Sequence, residues 1–325
     1  MKSSIENASI LITGANGGIG AETVKLLVEE KAGRIALACR TQEKAQATVA
    51  KISNNKTKLE PYGGFDMTDA NSIQKAVEAL PKGKVFDIVF LQSGGMIVAN
   101  NYQFVKTNGQ NIERTVYQNV FGGYITLRAL INQGLLAENA RVVFAGGEGA
   151  RGVKGMIDQP NFKRSHEIRS YIFNGNSKYK DINALGVSKF MSALLVQRLA
   201  LEDPGHSYVW FSPGLTAGTK GLENVPRPKR FVMEKIGFPV MQIFGMAQGP
   251  KQAAQKYVEC LKGIHGESGD LIGAPERKAL GDLVDQKPMF EGLTNHQFRD
   301  EFWKIITDNC GDINYTIDQK RLLEV

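Results

Sequence analysis

A glycine-rich turn near the start of the chain has the spacing of a phosphate-binding site. The apolar run ASILI leads directly into this turn, which carries Gly14, Gly18 and Gly20. Glycine allows a tight turn and close approach of the backbone to a pyrophosphate, while the helix that follows presents free N–H groups. Strand, turn and helix succeed one another at the start of the chain, so the turn is a specific signal for dinucleotide binding.

The second apolar run ends in residues that indicate which dinucleotide is bound. An NAD site places a carboxylate at this point to hold the adenosine 2′-hydroxyl. The chain instead has Cys39, which cannot do so, and then Arg40, which could pair with a 2′-phosphate. This pattern favours NADP over NAD. The alternative is a surface arginine at the end of the strand.

The overall composition is that of a folded globular protein. The chain has 325 residues, 42% of them apolar, with 40 basic and 33 acidic side chains and a net charge of +7. We expect no transmembrane segment, since no apolar run approaches the roughly 18–20 residues that a membrane span needs. We also expect no secretory leader, and hence a cytoplasmic protein. Three widely spaced cysteines and four scattered histidines disfavour disulfides and a catalytic metal.

The positive charge is concentrated in two stretches. Residues 151–190 hold eight basic and three acidic side chains, and residues 220–235 hold five and two. These two basic stretches could be solvated loops. Alternatively, they could form a positively charged entrance to the binding site of an anionic small-molecule substrate. Nucleic acid is not an expected partner, because no basic stretch is interleaved with stacking aromatics.

Alternating strand and helix patterns predict a doubly wound α/β fold of the Rossmann type, with a parallel sheet in a single domain spanning 1–325. Five short apolar runs have the length of buried strands, at residues 8–12, 34–39, 85–91, 141–145 and 207–211. A sixth strand is expected near 58–65. Helical patterns cover residues 19–32, 41–53, 70–80, 108–136 and 184–202.

Three segments depart from this alternation. Residues 150–181 form an insertion rich in glycine, lysine and asparagine. Residues 213–250, with many prolines and glycines, predict a substrate loop. Residues 265–325 are expected to be a C-terminal extension that caps the domain.

The motifs of residues 8–220 resemble those of the short-chain dehydrogenase/reductase family. The first turn matches the family's TGxxxGxG pattern, Phe65–Asp69 resembles its segment beside the adenine, and Ser212-Pro213-Gly214 resembles its nicotinamide loop. The resemblance implies NADP(H) as the cofactor. The positions implied to bind it are Thr13, Gly14, Asn16, Gly18, Ile19, Gly20, Arg40, Asp66, Met67, Ser93, Gly94, Asn119, Lys189, Pro213, Gly214 and Thr219.

Several features resemble one branch of the family, which includes the retinol dehydrogenases and the light-dependent protochlorophyllide reductases. These features are Arg40, the long insertion before Lys189, the late Thr219 and the Phe302-Trp303 pair.

The resemblance also implies a catalytic tyrosine four residues before a lysine, and a serine after the strand at 141–145. The lysine lowers the pKa of the phenol, and residues four apart share one helix face. Here Lys189 and Asn119 are present, but Leu185 stands at the tyrosine position and Gly146-Gly147 replace the serine pair. The spacing of bacterial enoyl reductases, seven residues before the lysine, selects Ile182, which is also apolar.

Substitute proton donors have to come from neighbouring segments. Tyr179 is one candidate, because an extended segment could fold it back beside Lys189. Glu148 is another, because it directly follows the glycines at the substrate end of a strand. Tyr171 and His166 are further candidates, and the alternative for each of the four is a surface loop residue.

Two functions from different classes remain open at this point. The first is an NADP(H)-dependent oxidoreductase that transfers hydride to a carbonyl or activated C=C with a non-standard proton donor. The second is a catalytically degenerate NADP(H)-binding protein that acts as a partner or sensor. The resemblance also implies a homodimer through the helices at 108–136 and 184–202, which could instead belong to the core.

Overall fold

The computed structural model describes residues 4–52, 56–99, 101–175, 178–218, 237, 242 and 245–313. Eight strands form one central sheet, and two further strands form a separate hairpin. In chain order the strands are β1 Ser9–Thr13, β2 Arg34–Ala38, β3 Lys58–Tyr62, β4 Phe86–Leu91, β5 Phe104–Thr107, β6 Gln110–Glu113, β7 Leu136–Ala145, β8 Ser207–Phe211, β9 Leu271–Gly273 and β10 Val284–Asp285.

The order of the central sheet is β10-β9-β8-β7-β4-β1-β2-β3. Its strands pair in parallel except for β10, which is antiparallel to β9. The order reverses between β1 and β4, and in open α/β sheets ligands bind at such a switch point, outside the carboxyl ends of the strands. The predicted Rossmann-type fold in a single domain is confirmed.

Helices cover both faces of the sheet. They are α1 Gly18–Glu29, α2 Gln42–Val49, α3 Ala70–Glu78, α4 Arg114–Val116, α5 Gly122–Asn132, α6 Ser165–Asn174, α7 Asp181–Glu202, α8 Pro250–Leu261 and α9 His296–Cys310, with a π-helical turn at Tyr117–Phe121 and a 3₁₀ turn at Glu148–Arg151. Alternate residues of β1 enter opposite core layers, Leu11 on one face and Ile10 and Ile12 on the other.

The prediction of one helix over residues 108–136 is wrong at its start. Residues 104–113 form the β5–β6 hairpin, in which Thr107 pairs with Gln110. Its turn residues Asn108 and Gly109 have φ values of 47° and 78°. An Asn-Gly pair is the preferred sequence for a two-residue hairpin turn with positive φ, so this dipeptide was the available signal.

The C-terminal extension is more than the expected cap, because part of it extends the central sheet. Strand β9 pairs with β8, and β10 pairs with β9. Helix α9, also in this extension, lies outside the sheet and packs against α6 and α7. The expected substrate loop at 213–250 lies mostly outside the described residues.

Helix α7 is buried on nearly all sides. It contains a window of mean hydropathy 1.3 that is long enough to cross a membrane, but 67% of that window is buried inside the protein. Helix α9 packs against α7, and its Phe302 ring lies 6.3 Å from that of Phe121 in the π-helical turn, while its Trp303 ring lies 6.0 Å from that of Tyr124 in α5. Part of the surface of the helices expected to form a homodimer therefore contacts the chain's own C-terminal helix.

Candidate functional site

Thr13, the last residue of β1, fixes the spacing of the two strands at the switch point. Its hydroxyl is buried and accepts hydrogen bonds from the backbone N–H groups of Gln92, at 3.0 Å, and Ser93, at 3.1 Å. The structure therefore places Thr13 as a link between β1 and the loop after β4. This link holds Ser93 directly against the glycine turn.

The glycine turn is closely packed. Gly14 has φ of +70°, and a Cβ there would lie 3.2 Å from the Ser93 Oγ. A Cβ at Gly20 would come within 2.4 Å of the Gly14 carbonyl oxygen. Gly18, Ile19 and Gly20 open α1, and the first N–H groups of a helix have no partner within it. The turn can therefore present these N–H groups to a pyrophosphate.

Gln92 adds a polar atom to this cradle. Its Oε1 is buried without a hydrogen-bond partner and lies 2.6 Å from where a Cβ of Gly20 would be. An unsatisfied buried acceptor costs roughly 1–3 kcal/mol. The glycine turn itself, where a Cβ at Gly14 or Gly20 would meet close neighbours, fits the close backbone approach of a dinucleotide. Sequence reasoning did not select Gln92, although its position just after β4 and two residues before Gly94 was a usable signal.

Arg40 and Asp66 lie together on the β2 side of the crevice. Arg40 is exposed, with its Nε 3.7 Å from an Asp66 carboxylate oxygen. Burial raises the pKa of Asp66, but hydrogen bonds from Thr68 and the charge of Arg40 outweigh it and hold the pKa below its usual value.

Asn16, in the turn, contacts the Cys39 thiol through its backbone. Met67 is buried in the core, and its carbonyl oxygen would lie 2.6 Å from a Cβ at Gly122.

Asn119 anchors the loop that follows β4. Its side-chain oxygen accepts from the Gly95 N–H at 2.8 Å, and its nitrogen donates to the Gly95 carbonyl at 3.0 Å and the Thr115 carbonyl at 2.8 Å. A Cβ at Gly94 would come within 2.4 Å of the Asn119 Oδ1, so this position requires glycine. Asn119 lies in the π-helical turn, a local irregularity that is frequent at functional sites.

Lys189 lies at the carboxyl end of β7. Its ammonium donates to the carbonyl of Ala145, the last residue of the strand, at 2.7 Å. Burial lowers its pKa to about 8. Leu185 precedes Lys189 by four residues, on the same helix face, and is partly exposed. The structure therefore places an apolar side chain where a tyrosine is implied by the resemblance.

The substitute donors lie elsewhere. The Tyr179 hydroxyl donates to the Ile97 carbonyl at 3.3 Å, on the loop after β4, and burial raises its pKa. Among the hydrogen bonds of the described residues, none joins Tyr179 to Lys189. Tyr171 is buried in the core, and His166 is exposed on α6.

Glu148 is buried, and both of its carboxylate oxygens accept hydrogen bonds. Its carboxylate accepts from the Ser212 hydroxyl at 2.8 Å and from the Ala274 N–H at 3.1 Å. Its two oxygens are thereby committed to the loops after β8 and β9. Pro213 and Gly214 begin the loop after β8, while Thr219 lies outside the described residues.

Comparison with known proteins finds partial similarity to short-chain dehydrogenases. A family model described as "short chain dehydrogenase" matches residues 8–158. "Short chain dehydrogenase atnD" of Emericella nidulans is 27% identical over 276 residues, covering 82% of this chain and 83% of the relative. A short-chain dehydrogenase/reductase of Armillaria gallica is 30% identical over 139 residues, covering 41% of this chain, which spans 43% of that relative's length.

The fold has close counterparts among solved structures. The NADPH-dependent 3-quinuclidinone reductase from Rhodotorula rubra superposes with a TM-score of 0.56 at 18% identity, covering 82% of this chain and 89% of the other. At this identity the likeness concerns the fold alone. The match over residues 8–158 covers less than half of the chain, and together with the sheet order it agrees with a fold of the Rossmann type.

Proposed function

We propose that the protein is an NADP(H)-dependent oxidoreductase that transfers hydride to a carbonyl or activated C=C of a small substrate, with a proton source other than a tyrosine at position 185. The observation that carries the proposal is the anchoring of Asn119 and Lys189 at the ends of β4 and β7. Each is held by backbone hydrogen bonds at the edge of the sheet where ligands bind.

The glycine turn and Arg40 are proposed to select NADP(H). The N–H groups that open α1 would hold the pyrophosphate, and the guanidinium of Arg40 would pair with the 2′-phosphate. Arg40 is exposed, and its one ion pair in the described structure, with Asp66, is long at 3.7 Å, so it is available to a phosphate. The nicotinamide, when bound, supplies the hydride.

The proton has to come from a group other than a phenol on α7. Lys189 holds a proton at the end of β7, and its pKa of about 8 leaves both protonation states populated near neutral pH. An activated C=C can accept hydride without a phenol on a carbonyl oxygen. This favours reduction of a double bond, with the proton delivered by Lys189 or solvent.

The basic insertion supports an anionic substrate, such as a carboxylate, a phosphate or a thioester carrier. Lys154, Lys163 and Lys178 are all exposed on the described part of residues 150–181. A cluster of exposed positive charge raises the local concentration of anions. Cytoplasmic location remains a prediction from the sequence.

The test starts with binding and proceeds to turnover. NADPH and NADH are titrated by their own emission, and NADPH oxidation is followed with cinnamaldehyde, which offers both a C=C and a carbonyl. We expect tighter binding of NADPH and formation of the saturated aldehyde. Absence of NADPH binding would contradict the proposal.

The second candidate is a cofactor-binding protein without turnover. It is favoured by one observation, that Tyr179 and Glu148 both make hydrogen bonds to other groups while Leu185 occupies the tyrosine position. Tight NADPH binding with no oxidation by cinnamaldehyde or by simple aldehydes would support this candidate.

A further inference from the structure

Glu148 joins the carboxyl ends of three strands from a buried position. It directly follows the Gly146-Gly147 pair at the end of β7 and is 7% exposed. One carboxylate oxygen accepts from the Ser212 hydroxyl, just after β8, and the other from the Ala274 N–H, just after β9. A buried carboxylate is tolerated only where hydrogen bonds and opposite charges compensate its lost hydration.

Ser212 transmits this contact to the loop after β8. Its hydroxyl donates to Glu148 and also accepts from the Gly214 N–H at 3.3 Å. The three groups form a line from a backbone N–H through a hydroxyl to a carboxylate. Because consecutive hydrogen bonds polarise one another, the carboxylate strengthens the hold of Ser212 on Gly214.

A cation holds the same loop from another side. The carbonyl of Pro213 accepts from the Gln248 side chain at 2.6 Å and from the Lys256 ammonium at 3.2 Å. Burial lowers the pKa of Lys256, and the negative charge of Glu148 opposes that effect. Glu148 and Lys256 therefore compensate each other's charge across the loop.

The loop after β8 is also held closely by its neighbours. Gly214 has φ of +95°, and a Cβ there would lie 2.8 Å from the Leu280 side chain. The neighbouring Leu215 N–H donates to the Ala279 carbonyl at 2.6 Å. Arg151 fixes the far side, donating to the Gln286 side chain at 2.7 Å and the Ala274 carbonyl at 3.1 Å.

The strand order shows which part of a dinucleotide this loop would meet. The phosphate-binding turn follows β1, and Arg40 follows β2 on one side of it. If the adenosine half lies toward β2, the other half extends across β4 toward β7 and β8. The Pro213–Gly214 loop is therefore at the nicotinamide end of the crevice.

We infer that Glu148 is a positioning residue, which acts through Ser212 and together with Lys256 to set the Pro213–Gly214 loop at the nicotinamide end of the site. The inference rests on the proposed function, because it requires NADP(H) in this crevice. It assigns to Glu148 the orientation of the reacting end of the cofactor, with no transfer of a proton by its carboxylate.

The test distinguishes binding of the nicotinamide half of the cofactor from binding of its adenosine half. NADPH contacts both ends of the crevice, whereas 2′,5′-ADP contacts only the adenosine end. For Glu148→Gln and Ser212→Ala we expect NADPH to bind about tenfold more weakly, while the affinity for 2′,5′-ADP changes less than about twofold. Ser212→Thr, which keeps the hydroxyl, is expected to retain NADPH affinity, and Glu78→Gln, on an exposed face of α3, is the matched control.

Other results of these binding measurements would overturn either the role of Glu148 or the proposed function. Equal weakening of NADPH and 2′,5′-ADP in Ser212→Ala would show a general structural role and overturn the inference, as would unchanged NADPH affinity in either variant. If Glu148→Gln fails to fold, the comparison of Ser212→Ala with Ser212→Thr decides the matter alone. Wild-type protein that binds neither ligand would overturn the proposed function itself.

Discussion

Gly146 lies against the indole ring of Trp210, so closely that a Cβ at position 146 would come within 2.6 Å of the ring. Trp210 cannot easily yield, because it is buried and its ring nitrogen donates to the Ser192 hydroxyl at 2.8 Å. Gly147 is different, since its φ of 170° is extended backbone and a Cβ there would lie 3.3 Å from the Lys189 Cγ. Packing therefore requires glycine at 146 but not at 147.

The first prediction compares serine at these two neighbouring positions. Gly146→Ser should lower the free energy of unfolding by about 1–3 kcal/mol, because the new side chain overpacks against Trp210. Gly147→Ser should change it by less than about 1 kcal/mol. Urea denaturation of the two variants measures the difference, and a larger loss for Gly147→Ser would refute this account of the pair.

The second prediction concerns carbonyl reduction. Leu185→Tyr combined with Gly147→Ser should add NADPH-dependent reduction of simple aldehydes, because Tyr and Lys189 would then share one face of α7. The control is Leu185→Phe combined with Gly147→Ser, which supplies the same ring without the hydroxyl. Comparable activity in the two double variants would show that the phenol is not the source of the gain.

The third prediction tests cofactor choice. Arg40→Gln should weaken NADPH binding about tenfold or more and leave NADH binding unchanged, because only NADPH carries the 2′-phosphate that the guanidinium would pair with. Arg277→Gln, at a side chain that is 83% exposed, is the control. Similar affinities of wild-type protein for NADPH and NADH would argue against the assigned role of Arg40.

The fourth prediction follows from the lowered pKa of Lys189. Its pKa falls from the ordinary 10.5 to about 8, so between these values the unfolded state binds more protons and stability increases with pH. Below pH 8 both states are protonated and the burial penalty is fully present. The free energy of unfolding of wild type, relative to Lys189→Met, should rise by about 3 kcal/mol from pH 7 to pH 10.5.

Denaturation of both proteins across this pH range measures that difference. Lys304→Met, at an exposed side chain of α9, should show no comparable trend relative to wild type. A flat difference for Lys189→Met would mean that the ammonium of Lys189 remains well hydrated in the folded protein.

The fifth prediction concerns oligomeric state. Because α9 packs against α7 and places Trp303 against Tyr124 of α5, we expect a monomer of 35.7 kDa at micromolar concentration. Sedimentation velocity measures the mass. A stable species of twice that mass would show that a dimer forms through another surface or displaces α9.

Phe302→Ala, which removes a fully buried ring of α9, should lower the free energy of unfolding by about 3–5 kcal/mol.

The sequence by itself determined six strands of the central sheet, β1 to β4, β7 and β8, and the phosphate-binding turn. Buried parallel strands appear as short continuous apolar runs, and the glycines at 14, 18 and 20 are required by local backbone geometry. Both signals lie within a few neighbouring residues. The Asn108-Gly109 hairpin turn is also a signal of two neighbouring residues. The prediction missed it because the apolar helix pattern that follows was extended back over residues 108–113.

Only the tertiary structure decided what the polar candidates contact. Tyr179 reaches Ile97, and Glu148 reaches Ser212 and Ala274, partners between 64 and 126 residues apart in the chain. The requirement for glycine at 146 depends on Trp210 of a neighbouring strand. Local propensity and spacing carry no information about such pairs, because chain folding brings them together and close packing then fixes which side chains fit.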